Sequence, residues 1–475
     1  MLCLSSLAKN PKYQKTSLHA VDLLRKSIKR IAPLKKEKDA GIKDEYTELW
    51  FPILFSLHDI IMNGEDLEVR SRALNYMFDI LVEYGGQFEP SFWDSICRKL
   101  LFPIFVVLKS RSSKTQDELS VWLSTTMIQA LRNMIALLTH YFETLERMLD
   151  GFLELLVTCI DQENDTVSRI GSSCVLQLVI QNVEKLSPQN WSLIVDKLEY
   201  LFKTTTAHEL IDNSLLRESE VVLPSTPPTS SSENGAANGG HSRNGSKDEH
   251  ANHGEVEGTS PTLSPTKHKS KNGKKPSRFR ATIVRSILQL LMIDTVEELL
   301  NNPEVFKKMP TDDILRLSGH LKASYLFARK FNDNRELRLE LWRQGFMKQL
   351  PNLLKQESTS ALTYVGLMMR LYKDDSKLEN GNRRDEVEIE LIPLCVEIIK
   401  GYNHLVATDE RYVNTLSPVV VQILDEYSGF KDNEFEKNIH DFYPEVVKIL
   451  GKDLSPELRA AVQKVLTRLG ELKFT

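Results

Sequence analysis

The side chains able to do chemistry are few and scattered. Five cysteines, Cys3, Cys97, Cys159, Cys174 and Cys395, are odd in number and never form a Cys-x-x-Cys pair. That argues against a disulfide framework and a structural zinc site. All but Cys3 lie in apolar helical patterns, which predicts reduced core thiols and a cytoplasmic setting. The eleven histidines do not pair at metal-ligand spacings. His208-Glu209 lacks the second His of a zinc-protease helix, and His58 and His140 sit in apolar stretches where a structural role is expected. No P-loop, dinucleotide-binding or nucleophile-elbow sequence is present. The expectation is no catalytic residue, no cofactor and no metal.

Two features remain that touch on chemistry. Residues 267–280, KHKSKNGKKPSRFR, hold Lys267, Lys269, Lys271, Lys274, Lys275, Arg278 and Arg280 and no acid. Near an anionic membrane each cation contributes up to about 1 kcal/mol, so the run is a candidate lipid contact. The bland reading is a solvated linker end. No aromatic residues interleave the lysines, so nucleic acid is not an expected partner. The second feature is three proline-directed hydroxyls, Thr226, Ser260 and Ser264, which are candidate phosphorylation sites. Phosphate at Ser260 or Ser264 would set negative charge beside the lysines and weaken a lipid contact.

The elements that must position these residues read as helices throughout. Of 475 residues, 41% are apolar and 27% charged, which fits a globular protein, and the net charge of −4 selects no polyanionic partner. The charge is uneven. Residues 1–43 carry eleven basic and three acidic side chains (+8), and residues 374–475 carry thirteen and twenty (−7). The start, MLCLSSLAKN, lacks the features of a signal peptide, and no uncharged run approaches the roughly 18 residues of a membrane span. It is already amphipathic at its first residues, which suggests a chain continuing from something upstream.

The stretch from Leu49 to Leu108 predicts three helices with little between them. In the second, Val69, Ala73, Met77, Ile80 and Leu81 form one apolar stripe, with Leu74 and Phe78 on another beside it. Two stripes call for neighbours on two sides. Asp66 stands where a helix cap is needed, and Asp66-x-x-Val69-Arg70-x-x-Ala73 has the pattern of the second helix of a HEAT repeat. Arg70 is expected to bond within the solenoid. Asp117 and Asp165 recur at spacings of 51 (117 − 66) and 48 (165 − 117), slightly longer than the about 40 to 47 residues of HEAT-type repeats. Ser187-Pro188 and Ser455-Pro456 open further helices. No period-two strand run appears.

Residues 224–278 interrupt this pattern. Of 55 residues, 33 are Ser, Thr, Pro, Gly or Asn, and only Val256 and Leu263 are large and apolar. Such a segment cannot bury enough surface to offset its ordering entropy. The predicted fold is all-α: a HEAT/armadillo-like α-solenoid in two helical rods, residues 1–203 and 279–475, joined by a disordered linker over 204–278.

Several segments carry a resemblance. LAKNPKYQKTSLHAVDLL, LWFPILFSL, EVRSRAL, LLFPIF, CIDQENDTVSRIGSSC, SYLFARKFN, LWRQGFMKQLPNLLKQE and HDFYP resemble the large Arf guanine-nucleotide exchange factors of the trans-Golgi, the BIG type or Sec-seven class. The likeness covers nearly the whole chain except the linker and corresponds to the region downstream of the exchange domain. In that family the catalytic glutamate lies in an FRLPGE loop, which this sequence does not contain, so no catalytic residue carries over. The resemblance implies a non-catalytic regulatory region that binds activated small GTPases of the Arf and Rab type, associates peripherally with Golgi membrane in vesicle-mediated protein transport, and aids dimerisation. A free-standing trafficking scaffold without any exchange domain is the alternative.

Overall fold

The computed structural model describes residues 1–31, 49–108, 126–212, 215, 278–378, 381–405 and 409–474. Within these every regular element is helical. The helices are α1 (Leu2–Ala8), α2 (Gln14–Ile31), α3 (Phe51–Asn63), α4 (Leu67–Tyr84), α5 (Pro90–Ile96), α6 (Ile128–His140), α7 (Phe142–Leu145), α8 (Leu149–Ile160), α9 (Asp165–Asn182) and α10 (Pro188–Thr205). After residues 216–277 come α11 (Arg278–Asn301), α12 (Pro303–Lys308), α13 (Thr311–Asp333), α14 (Arg335–Arg343), α15 (Leu354–Lys373), α16 (Gly381–His404), α17 (Glu410–Ser428), α18 (Asp432–Ile449) and α19 (Pro456–Phe474).

The α3–α4 pair shows how the sequence builds the repeat. The Asp66 carboxylate accepts from the Val69 N–H at 3.0 Å, which satisfies one of the unpaired amides at the start of α4. Arg70 donates from Nε to the carbonyl of Ile61 at 2.8 Å, so its guanidinium closes the last turn of α3 as expected. Gly64 caps α3; a Cβ there would lie 2.6 Å from the Ile60 carbonyl oxygen. Both predicted stripes of α4 are buried, with Val69, Ala73, Leu74, Met77 and Leu81 at 0% exposure. α4 packs against α3 on one side and α2 on another.

Other boundaries shift for local reasons. The third predicted helix stops at Ile96, passes through a π turn at Cys97–Leu101, and ends in a 3-10 turn at Phe102–Leu108. Pro103 has no N–H to continue an α-helical ladder. Asn164, not Asp165, caps α9, accepting from Val167 N at 3.2 Å, while Asp165 pairs with Arg169 one turn on. Asp117 lies outside the described residues. Ser187 and Ser455 cap α10 and α19. The stretch from Asn334 to Glu357 does not form one helix but is broken in two. Gly345, at φ +79°, takes the left-handed conformation after α14, and the amides of Gly345 and Phe346 bond back to the carbonyls of Trp342 and Leu341. This is a Schellman turn, and its αL position favours glycine.

The block of helices before residue 216 and the block after residue 277 meet directly. α9 and α10 pack against α11, and α10 also packs against α13. Buried residues from Ala8 to Val465 form one hydrophobic core that crosses this seam. α10 runs to Thr205 and is followed by a 3-10 turn at His208–Leu210. A smaller cluster of Ala207, Leu210, Leu215, Phe331, Leu337, Leu341 and Phe346 fills the space between that turn and α13–α14.

Candidate functional site

Most of the predicted lipid-contact and modification residues, Lys267, Lys269, Lys271, Lys274, Lys275, Thr226, Ser260 and Ser264, lie outside the described residues. Arg278 opens α11. Arg280 is exposed and faces Glu163 of the α8–α9 turn at 3.8 Å. The last cation of the run is thus partly committed to the first block of helices.

Four of the five cysteines are buried, as their settings predict. Burial pushes Cys97 and Cys159 up to about 12 and Cys174 up to about 11, so these thiols stay protonated and unreactive at neutral pH. His58 is half-buried and shifted down by that burial, against a backbone bond at Leu100, so it is held neutral. Among the described residues no group of His, Cys, Asp and Glu is arranged to hold a metal ion.

What the sequence reading missed is the polar seam between the two blocks. The Ser172 and Thr295 hydroxyls are 2.6 Å apart in the core. Thr205 donates to Gln289 at 2.6 Å, and Gln289 donates in turn to Ser324 at 3.0 Å. Gln356 also donates to the Ser324 hydroxyl, at 3.1 Å, so one buried row joins α10, α11, α13 and α15. At the rim Arg316 reaches Asp196 at 2.5 Å, Glu199 at 3.0 Å and Asp313 at 3.0 Å. Burial alone would raise Glu199, but the Arg316 contact outweighs it and holds the carboxyl below its ordinary value. Each member of this seam is an ordinary helix residue; only its partner makes it notable.

A second buried site lies further on. Glu357 accepts from Asn332 Nδ2 at 2.6 Å and from the Tyr412 hydroxyl at 2.8 Å. Burial raises its pKa, and the two donors only partly offset that. With α13, α15 and α17 meeting there, the arrangement locks helices together.

These features define an all-α helical-repeat solenoid knit into one body by buried polar contacts. Residues 287–467 match the family described as the BIG2 C-terminal domain. Over 98% of its length the chain is 39% identical to the ADP-ribosylation factor guanine nucleotide-exchange factor SEC7 of Saccharomyces cerevisiae, covering 26% of that protein. It is 35% identical to sec72 of Schizosaccharomyces pombe (99% of this chain, 26% of the relative) and 28% identical to brefeldin A-inhibited guanine nucleotide-exchange protein 1 of Homo sapiens (98% and 27%). Over nearly its whole length the chain is similar to Sec7- and BIG-type Arf exchange factors, and it spans about a quarter of the length of the curated relatives it matches. No helix among the described residues is long and apolar enough to cross a membrane.

Proposed function

We propose that this chain is a non-catalytic regulatory region of an Arf guanine-nucleotide exchange factor acting in Golgi vesicle-mediated transport. In this reading it binds activated small GTPases of the Arf and Rab type, attaches peripherally to Golgi membrane, and aids dimerisation. The observation that carries it is the continuous similarity, over 98% of the chain, to a protein named as an ADP-ribosylation factor exchange factor. Two features support the regulatory part: the sequence lacks the family's FRLPGE loop, and the fold is an extended solenoid of the kind whose stacked repeats present broad binding surfaces. The basic run ending at Arg280 supplies a charge-based attraction to anionic lipid, too weak for stable anchoring without a second contact. A membrane-attached GTPase provides that contact.

The test is flotation of the purified chain with anionic liposomes carrying Arf or a Rab in the GTP-analogue or the GDP state. Recovery should be several-fold higher with the activated GTPase. Equal recovery in both nucleotide states would overturn the reading.

A further inference from the structure

Between the two blocks, beneath the break at Gly345, the structure holds a cleft of about 460 Å³. Its apolar lining includes Ile283, Ile287, Leu290, Phe331, Phe346 and Met347. Among the described residues the charged ones that line it are Lys355 and Arg411, both cationic; neither forms an ion pair, although Lys355 is within electrostatic reach of Asp294. Nearby arginines are otherwise engaged: Arg316 and Arg329 pair with acids, and Arg338 donates to the carbonyls of Asn332 and Pro351. α15 begins at the cleft with Leu353 as its N-cap, and the amide of Leu354 donates to the Asn352 side-chain oxygen at 3.3 Å.

The cleft is built rather than incidental. The Schellman turn brings Phe346 back onto Leu341 in the small cluster below. The segment that follows is tied down at three points. Trp342 donates its indole N–H to the Lys348 carbonyl at 3.4 Å, Arg338 donates to Pro351, and the Leu353 amide donates to Asn332 at 2.7 Å. Met347 and Ile287 remain 44% and 36% exposed, so the apolar lining reaches the surface. Apolar lining, a volume within the range of about 300 to 1,000 Å³ usual for small-molecule sites, and a few convergent polar groups are what a ligand pocket needs.

We propose that this cleft binds a long-chain fatty acid, its acyl chain among Ile287, Leu290, Phe331 and Met347 and its carboxylate on Lys355 and Arg411. A slender alkyl chain matches the apolar part. An anionic head matches the two cations at the cleft, of which Lys355 also feels the Asp294 carboxylate without forming an ion pair with it, and a carboxylate accepts well from a guanidinium. This assignment is independent of GTPase binding.

Calorimetry of the full chain with monomeric palmitate tests it. Palmitate should bind saturably at one site, and hexadecanol, of the same chain length without the charge, about tenfold or more weakly. The double variant Lys355→Gln, Arg411→Gln should lose that preference for the acid. Ile287→Trp should fill the cleft and abolish binding of both, with an unchanged melting curve as the folding control. Equal binding of acid and alcohol, or binding unaffected by Ile287→Trp, overturns the proposal. So does binding that appears only after residues 216–277 are replaced by a short Gly-Ser tether, or only on dilution from high protein concentration; those results assign the cleft to the chain's own segment or to a second copy.

Discussion

The hydroxyl of Ser172 on α9 lies 2.6 Å from the hydroxyl of Thr295 on α11, across 123 positions of sequence. Thr295 also donates to the carbonyl of Leu291 in its own helix, so the buried pair is fully used. Contacts of this kind, beside a shared apolar core, make the two blocks of helices one packed unit.

The first prediction follows from that seam. Limited proteolysis should cut first between Leu223 and Lys275, where composition offers nothing to bury. The two products should still co-elute by gel filtration and melt in one transition. Fragments that separate without denaturant would show that the blocks are independent.

Val69 is fully buried against its neighbours, so Val69→Asp places an unpaired charge in the α3–α4 core. A loss of about 3 to 5 kcal/mol is expected. Urea titration of parent and variant measures it, and an unchanged midpoint would contradict the burial of this position.

Glu357 gives a pH dependence whose sign can be worked out. Its folded pKa is raised above the ordinary value of 4.5 by burial. The folded state therefore holds a proton that the unfolded state has released, and its contribution to stability is favourable at low pH. That contribution fades as pH rises above 4.5 toward the raised value. Glu357→Gln should flatten this part of the profile of melting temperature against pH; a slope identical to the parent's would show that another group is responsible.

The purified 475-residue chain should not accelerate nucleotide release from Arf. The motivation is the missing FRLPGE loop. Fluorescent-nucleotide release measured with and without the chain checks it, and any catalytic stimulation contradicts the expectation.

Binding to anionic liposomes should fall steeply with salt, since solvent-exposed charges are screened within about 10 Å at 0.1 M. Replacing Lys267, Lys269, Lys271, Lys274 and Lys275 by Gln should remove this term. Arg280→Gln should matter less, because that side chain already faces Glu163. Equal binding to anionic and neutral liposomes at low salt would reduce the run to a linker end.

The helices and their phases were legible in the sequence because they rest on short-range rules. Asp66 caps the amide three residues on, Ser187 and Ser455 do likewise, and the stripes of α4 follow from 3.6 residues per turn. The family resemblance was legible for the same reason: its motifs are contiguous strings. The break after α14 was half legible, since Gly345 and Pro351 are both helix-breaking residues, but only the structure closed the turn there. Nothing in the neighbourhood of Ser172, Gln289 or Glu357 marks its partner. Thr295, Ser324 and Tyr412 lie 123, 35 and 55 positions away. Which helix faces which is settled by burying both sides of every amphipathic face at once, and that is a property of the whole packed chain.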